Sequence, residues 1–426
     1  MEKRINWLHF SDLHYGQKKQ RLLMPKLKQE LFKDIELLKN ELGKFDVVFF
    51  TGDLTQAGHA DEFDELTVFL KELWALFNKL GCNPFFVAIP GNHDLLRQDK
   101  TGAAIKLLKT YNTDSETQDL FWNSLNKGDE YYELVHQCFK NFTLWYANVN
   151  LPKPTLQYGL IPGDISGSLD INNFKLRFVG LNTAFLELTN DEYRGKLAIN
   201  TEQVYQLTNK DPLKWIKECD VALLLTHHDP SWLDEKSKAA YNSDINPSDA
   251  FYNHFCGHLH EANAFQYGQI GSGKRRIQLA PSLFGLQMIN DTEDRIHGYY
   301  AGCYTIENSE IVEYFYPRKV NKKYSGDYSI NPDFGFELNS DNCVITRSSH
   351  ASFELSTKKE QDKGNQTSII EDSLKNEAAE HQNNVLDIAS TAKNLKRLEK
   401  VPKASYLPTP QHSSIRLVEQ RNFIQK

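Results

Sequence analysis

Short polar clusters that directly follow apolar segments constrain this sequence more than any other feature. The sequence Pro-Gly-Asn-His-Asp at 90–94 follows the apolar segment 85–89, whose length and β-rich composition predict a buried strand. A parallel sheet presents its ligands at the ends of its strands, so this position suits a binding site. Because Gly-Asn is also common in ordinary turns, the cluster by itself leaves both interpretations open.

The N-terminal part of the chain alternates between predicted strands and helices. Strands are predicted at 5–10 and 46–51, and apolar residues at helical spacing predict helices at 22–42 and about 61–80. The order β-α-β-α-β implies parallel strands with right-handed crossovers, which end at one edge of a single sheet. Five polar residues are therefore expected to converge at that edge: Asp12, His14, Asp53, Asn92 and His93.

Later segments add further strands and further histidines. Strands are predicted at 174–181 and 221–226, with a helix between them at about 201–218. His227 and His228 follow the second of these strands, and His258 and His260 follow a short segment ending at Cys256. Strand-like segments are expected to form a second, largely antiparallel sheet at 264–270, 275–280, 299–306 and 311–316.

Two segments depart from this pattern. The aromatic-rich segment 97–159 looks helical and predicts either an extra helical layer with its own small core or a cap that selects substrate. Lys, Glu, Gln, Asn and Ser dominate 351–426, a composition that buries too little apolar surface to offset the ordering entropy. We therefore expect a catalytic domain at 1–320, a linker or extension at 321–350 and a low-complexity tail that is solvated, helical or partner-bound.

The overall composition narrows the class of protein. A net charge of -7 argues against a surface devoted to long duplex nucleic acid. No apolar run approaches the roughly 18 residues of a membrane span, and no signal peptide is visible, so no membrane association is expected. The 6 cysteines lack Cys-x-x-Cys spacing, which argues against a disulfide framework and favours the reducing cytoplasm.

The polar residues at predicted strand ends have the chemistry of metal ligands. A single strand-end Asp is often a helix N-cap, and a lone His is usually a surface or core residue, but so many together are hard to explain by chance. Carboxylate and imidazole ligands without thiolate suit manganese, iron, zinc or nickel. The set comprises Asp12, His14, Asp53, Asn92, His93, His227, His258 and His260.

Asp-x-His, Gly-Asp, Gly-Asn-His-Asp, His and Gly-His-x-His occur in this order over about 5–317 and resemble the calcineurin-like metallophosphoesterase superfamily. The resemblance implies an α/β fold, a four-layer α/β/β/α sandwich with a dinuclear metal centre. It also implies a role for each motif residue. One cation would be held by Asp12, His14 and His260, the other by Asn92, His227 and His258, with Asp53 bridging both. His93 would face the phosphate, and Asp94 would orient His93 by a hydrogen bond.

Two blocks depart from the usual motifs of the family. The fourth block usually resembles His-His-Pro-Pro, whereas here Asp229 precedes Pro230. We assign His227 as the ligand because it directly follows the strand, with His228 as the alternative. The Gly-Asp block lacks the Asp-Arg-Gly extension of serine/threonine protein phosphatases. It resembles the branch that holds cyclic-nucleotide phosphodiesterases and DNA-processing exonucleases.

The resemblance implies a metal-dependent, nuclease-like phosphodiesterase that hydrolyses nucleotide or nucleic-acid phosphodiesters by attack of a metal-bridging hydroxide. Two divalent cations are expected, manganese first, with iron, zinc or nickel as alternatives. A phosphomonoesterase acting on a small metabolite and a non-catalytic scaffold are the alternative functions. The segments 7–10 and 282–285 resemble metallophosphoesterase domains of bacterial defence operons, which implies an antiviral-defence role and a protein partner bound through the tail.

Overall fold

The computed structural model describes residues 3–17, 20–127, 130–260, 262–268, 273–285 and 297–349. The chain divides into a unit at 1–356 and a second unit at 357–426, and all of the described residues belong to the first. The expectations about the tail at 351–426 therefore lie outside the described residues.

The described residues contain fourteen strands, which are numbered in chain order. They are β1 Arg4–Phe10, β2 Val47–Thr51, β3 Phe85–Ile89, β4 Leu156–Tyr158, β5 Ile165–Ile171, β6 Phe174–Leu181, β7 Val221–Thr226, β8 Asn253–Cys256, β9 Asn263–Tyr267, β10 Arg275–Leu279, β11 Gly298–Glu307, β12 Glu310–Lys322, β13 Tyr328–Pro332 and β14 Val344–Ser349.

Nine α-helices lie in the same described part of the chain, together with a 3₁₀ turn and a π-helical turn. The helices are α1 Gln20–Leu42, α2 Ala60–Lys79, α3 Ala103–Leu108, α4 Ser115–Lys127, α5 Glu130–Cys138, α6 Lys140–Asn148, α7 Thr201–Leu207, α8 Pro212–Lys217 and α9 Glu235–Ala240. The 3₁₀ turn is Pro230–Trp232 and the π-helical turn is Tyr241–Ile245.

The strands form two mixed sheets. The first has the order β13-β12-β11-β1-β2-β3, with β14 also paired to β12. In this sheet β1, β2 and β3 are parallel, whereas β11 and β12 are antiparallel to their neighbours. The second sheet has the order β4-β5-β6-β7-β8-β10-β9, and β6, β7, β8 and β10 are parallel.

Parallel strands such as β2 and β7 are buried on both faces, which explains their continuous apolar runs. In β2, Val47 and Phe49 face the second sheet, whereas Val48 and Phe50 pack toward α1 and α2. In β7, Leu223 faces the first sheet and the next residue packs in the cluster that includes α7 and α8. This alternation stacks helices, sheet, sheet and helices, and confirms the predicted α/β/β/α sandwich.

Two expectations about the later elements are wrong. The late strands do not form one antiparallel sheet, because β11 and β12 join the first sheet beside β1 while β9 and β10 join the second. The predicted helix at 201–218 is two helices. Asn209 and Lys210 adopt positive φ values of 54° and 63° between them, and Pro212 begins α8.

The segments that interrupt the sequence pattern have regular structure. The segment 97–159 contains α3 to α6 and β4. Residues of α3, α4 and α5 form a hydrophobic cluster of their own, whereas α6 packs in the cluster that holds α2. The segment 321–349 supplies β13 and β14 to the first sheet. Among the described helices, none combines the length and the apolar content needed to cross a membrane.

A buried ion pair fastens α1 to the first sheet. Arg318 of β12 donates from Nε to Asp34 Oδ2 at 2.9 Å and from Nη2 to Asp34 Oδ1. The Tyr299 hydroxyl donates to Asp34 Oδ2 at 2.6 Å. Because Asp34 is only 2% exposed, removing it leaves the Arg318 charge buried without compensation.

Asp34→Ala is therefore expected to lower the free energy of unfolding by about 3 kcal/mol, measured by urea denaturation. Glu36→Ala is the matched control, since Glu36 lies on the same helix in an exposed ion pair with Lys79 at 3.4 Å. The control should change the free energy of unfolding by less than about 1 kcal/mol. Equal losses in the two variants would contradict this assignment.

Candidate metal centre

The loops that follow β1, β2, β7 and β8 interlock through their backbones. Asp12 N donates to Gly52 O at 3.1 Å, and His14 N donates to Asp53 O at 2.9 Å. The second sheet joins them, because His258 N donates to the Asp12 carboxylate at 3.0 Å. These bonds bring the ends of strands from both sheets to one place.

The residues at these strand ends share an unusual backbone conformation. Left-handed φ values are uncommon outside glycine and concentrate at functional sites. Gly52 has a φ of 93°, and a Cβ atom there would lie 2.6 Å from His227 Nδ1, so only glycine allows the close approach. Five non-glycine residues of the candidate set share positive φ: Asp12 at 54°, His14 at 49°, Asp53 at 51°, His258 at 70° and His260 at 54°.

The first group of potential ligands is Asp12, His14 and His260. The Nε2 atoms of the two histidines lie 3.1 Å apart. Asp12 Oδ1 lies 3.1 Å from His260 Nε2 and 3.8 Å from His14 Nε2. Three ligand atoms therefore face one another, as the resemblance to the family implies.

The second group is Asn92, His227 and His258. His227 Nε2 lies 3.1 Å from Asn92 Oδ1 and 3.3 Å from His258 Nδ1. The other ring nitrogen, His227 Nδ1, donates to the Thr51 carbonyl at 2.7 Å. This bond sets the tautomer and leaves Nε2 as the nitrogen that faces the group.

Asp53 lies between the two groups. Its Oδ2 atom is 3.3 Å from His227 Nε2 in the second group and 3.7 Å from His14 Nε2 in the first. Its Oδ1 atom accepts a hydrogen bond from His93 N at 2.8 Å. One carboxylate oxygen thus faces both groups while the other is held by the backbone.

The side chains present fit two divalent cations. Asp12 Oδ1 is buried and accepts no hydrogen bond from the described residues, although His260 faces it. Metal–nitrogen and metal–oxygen distances of about 2.0–2.2 Å allow one cation to contact atoms separated as these are. Two buried carboxylates close together also need positive charge nearby. Four overlapping clusters in the described residues offer ligand atoms within 4.8 Å of one another.

The electrostatics of the site favours the metal-binding form of both carboxylates and of His14, whereas, against the effect of burial, the charge of Asp53 raises the pKa of His227 to about 10 and the charge of Asp12 raises the pKa of His260. Burial opposes ionisation of Asp12 and Asp53, but the imidazoles of His260 and His227 hold the pKa of each carboxyl below its usual range. Burial lowers the pKa of His14 to about 4, against the opposing charge of Asp53. Ionised carboxylates and a neutral imidazole are the forms that coordinate a metal.

His93 lies at the margin of the first group. Its ring centroid is 4.8 Å from that of His14, and its Nδ1 donates to the Gln56 carbonyl at 2.7 Å. Since Nδ1 is occupied, Nε2 is the nitrogen that remains to face a substrate. Sequence reasoning had no signal for Gln56, because the contact is made by its backbone.

Asp94 differs from the role that the resemblance implies. Its carboxylate accepts hydrogen bonds from the backbone N–H groups of Leu54 at 3.1 Å, Thr55 at 2.8 Å and Gly91 at 2.9 Å, and from the Thr55 hydroxyl. It thus clamps the loop after β2 to the loop after β3, while the His93 ring is held by Gln56. Burial and then the charge of Asp53 raise the pKa of Asp94 to about 6.

The alternative ligand, His228, lies beside the second group, because a nitrogen of its ring is within 4.8 Å of ligand atoms of His227 and His258. Its Nδ1 lies 2.9 Å from Thr183 Oγ1 and its Nε2 lies 3.2 Å from Glu187 Oε1. The ring still packs against His227 and His258, with centroids 4.8 Å and 4.3 Å away. Thr183 is the second residue after the end of β6, so extending the strand-end search to β6 would have found it. Glu187 lies deeper in the same loop and had no sequence signal.

This arrangement of ligands on an α/β/β/α sandwich defines a metal-dependent phosphoesterase class. The chain belongs to the calcineurin-like phosphoesterase family, whose model matches residues 5–262. No curated protein matches the sequence.

Several solved structures are similar to this chain at low identity. A single-mutant Vps29 from Entamoeba histolytica is 12% identical, covering 81% of this chain and 98% of that chain, with a TM-score of 0.26. Purple acid phosphatase PPD1 from yellow lupin is 14% identical, and the match covers 81% of this chain and 57% of that chain, with a TM-score of 0.40. The sulfate thiohydrolase SoxB from Thermus thermophilus is 11% identical, and the match covers 85% of this chain and 61% of that chain, with a TM-score of 0.36. These values are too low to carry an argument about function.

Addition of Mn²⁺ is expected to raise the melting temperature, since a ligand that binds only the folded state stabilises it by about 2.7 kcal/mol at one hundred times its Kd. Scanning calorimetry with Mn²⁺ and with EDTA measures the difference. Asp53→Asn should lose most of the Mn²⁺-dependent increase, while Asp170→Asn, an exposed carboxylate on β5, should keep it. A melting temperature that is insensitive to both reagents would contradict the assignment.

Proposed function

We propose that this protein is a phosphodiesterase that uses two divalent cations to hydrolyse nucleotide or nucleic-acid phosphodiesters. The observation that carries the proposal is the position of Asp53 Oδ2, which is within 3.7 Å of the first group and 3.3 Å of the second. Two ligand groups that share one carboxylate suit a pair of cations on one phosphate.

The residues around this pair have separate tasks. When bound, the two cations would polarise the phosphate and supply an activated water. Asn92 is a neutral ligand, so it limits the negative charge that an anionic substrate meets. His93, held through Nδ1, presents Nε2, which can donate a proton to the leaving oxygen. Asp94 holds the loop after β2 to the loop after β3, because its carboxylate accepts hydrogen bonds from Leu54 N and Gly91 N.

One feature supports a nucleotide substrate. Trp232 is partly buried, and its ring centroid lies 4.1 Å from that of His258, so an aromatic surface borders the second group. Aromatic side chains of this kind stack nucleobases without strong sequence preference. The aromatic residues of the insert do not offer the same surface, because Phe121 and Phe139 are fully buried in its own core. This burial favours the extra helical layer over the base-stacking cap.

Manganese is proposed first, with iron, zinc or nickel as alternatives, because oxygen and nitrogen ligands without thiolate suit all four. A cytoplasmic location follows from the scattered cysteines, all 6 of which are free and buried. The proposed antiviral-defence role and the protein partner for the tail rest on the resemblance of two short segments to defence-operon proteins.

The direct test compares bis(p-nitrophenyl) phosphate with p-nitrophenyl phosphate, each with Mn²⁺. The diester is expected to be hydrolysed. Asp53→Asn should lose the activity, because a neutral amide replaces the carboxylate that both groups share. His93→Ala should lower kcat by about 10²–10⁴-fold, because the proton donor is removed. Asp170→Asn is again the matched control and should keep wild-type rates.

Two outcomes would overturn the proposal. Hydrolysis of the monoester alone would identify a phosphomonoesterase that acts on a small metabolite. No hydrolysis of either ester by protein that demonstrably holds two Mn²⁺ ions would favour a non-catalytic scaffold. Activity on the diester would lead next to single-stranded DNA, RNA and cyclic nucleotides as substrates.

A further inference from the structure

Glu187 is a buried acidic residue beside the candidate metal centre, and none of the roles described above involves it. It is 4% exposed and lies in the loop that follows β6. Burial and then the charge of Asp53 raise the pKa of this carboxyl to about 7. A buried carboxylate near an anionic substrate is unfavourable unless it serves a structural or positioning purpose.

Glu187 faces one nitrogen of His228, and Thr183 faces the other. His228 Nε2 lies 3.2 Å from Glu187 Oε1 and has no hydrogen bond to another described residue. Thr183 Oγ1 lies 2.9 Å from His228 Nδ1 and accepts from the His228 backbone N–H at 3.1 Å. A hydrogen bond therefore holds the ring at Nδ1, while the Glu187 carboxylate lies against Nε2 without the geometry of a hydrogen bond.

The restrained ring supports the second ligand group. The His258 ring packs against two other rings that also contact each other, with centroid distances of 4.3 Å to His228 and 4.1 Å to Trp232. His227, in contrast, has its own hydrogen bond to the Thr51 carbonyl. The orientation of His258 thus depends more on packing, and His228 forms one wall of that packing.

The helical insert fixes the backbone on both sides of Glu187. Phe185, Leu186 and Leu188 are buried in the hydrophobic cluster that α3, α4 and α5 form. The Phe185 ring stacks on Phe121 of α4, with centroids 5.4 Å apart. The loop is also hydrogen-bonded to the segment after β3, because Gln98 N donates to the Leu188 carbonyl at 3.0 Å.

We propose that the helical insert positions the second cation-binding group, acting through the contact of Glu187 with His228 and of His228 with His258. Glu187 is then a positioning residue for a divalent cation at Asn92, His227 and His258. Within the described residues, Glu187 forms an ion pair with His228 and no hydrogen bond or ion pair with the first group, Asp12, His14 and His260. The inference rests on the proposed dinuclear centre. It predicts that removing Glu187 lowers the cation affinity of only one of the two sites.

The test is Mn²⁺ binding to the full chain, followed by electron paramagnetic resonance and by metal analysis after gel filtration. Wild type should bind two ions. Glu187→Ala should weaken one site by about 10–100-fold, the usual effect of removing a group that orients a metal ligand. Glu187→Gln keeps an oxygen that can face His228, so it should lose less Mn²⁺ affinity than Glu187→Ala. Glu192→Ala removes an exposed carboxylate from the same region and should bind like wild type.

A background substitution assigns the weakened site. In His14→Ala, which impairs the first group, adding Glu187→Ala should weaken the remaining Mn²⁺ binding by the same factor of about 10–100. In His258→Ala, which impairs the second group, adding Glu187→Ala should change nothing further. Thr183→Val, which removes the other restraint on His228, should reproduce the selective loss and serves as the second variant if Glu187→Ala does not fold.

The outcomes separate this inference from the proposed function. Fewer than two Mn²⁺ ions in wild type would overturn the dinuclear centre itself, whatever Glu187 does. Two ions in wild type with unchanged affinities in Glu187→Ala and Thr183→Val would overturn the positioning role alone. Equal weakening of both sites, with a lower metal-free melting temperature, would show a general effect on the fold and would also overturn it.

Discussion

The convergence of two buried carboxylates on a small set of imidazoles is the constraint on which the rest of this structure depends. Asp12 and Asp53 are 0% and 1% exposed, and ionised carboxylates of this kind are costly in a protein interior. Histidines offset part of the cost, yet Asp12 Oδ1 still lacks a hydrogen bond from the described residues. Divalent cations would supply the missing charge, and their binding would then be linked to folding.

Both sheets are needed to build this site. The parallel strands β1, β2 and β3 bring Asp12, Asp53 and Asn92 to one edge of the first sheet. The second sheet contributes the histidines that follow β7 and β8, and the bond from His258 N to Asp12 joins the two. Positive φ values at five of the ligand positions turn the side chains toward the common space. The apolar layer between the sheets therefore determines the geometry of the metal centre.

The sequence predicts the parts of this arrangement that are encoded locally. The strands at β1, β2, β3 and β7 are short apolar runs, and the polar residues that follow them could be named before their contacts were known. The position of β11 and β12 could not be predicted, because β11 pairs with β1 across almost three hundred residues and no local pattern records that pairing. Glu187 escaped notice for a similar reason. The role of this single acidic residue in an apolar loop is indicated by its contact with His228, which the sequence does not reveal.

Anomalous diffraction from crystals grown with Mn²⁺ tests the central claim most directly, because it locates cations independently of activity. The account predicts two anomalous peaks about 4 Å apart or closer, one beside Asp12, His14 and His260, the other beside Asn92, His227 and His258, with Asp53 Oδ2 between them. A single peak, or two peaks that do not share Asp53, would contradict it.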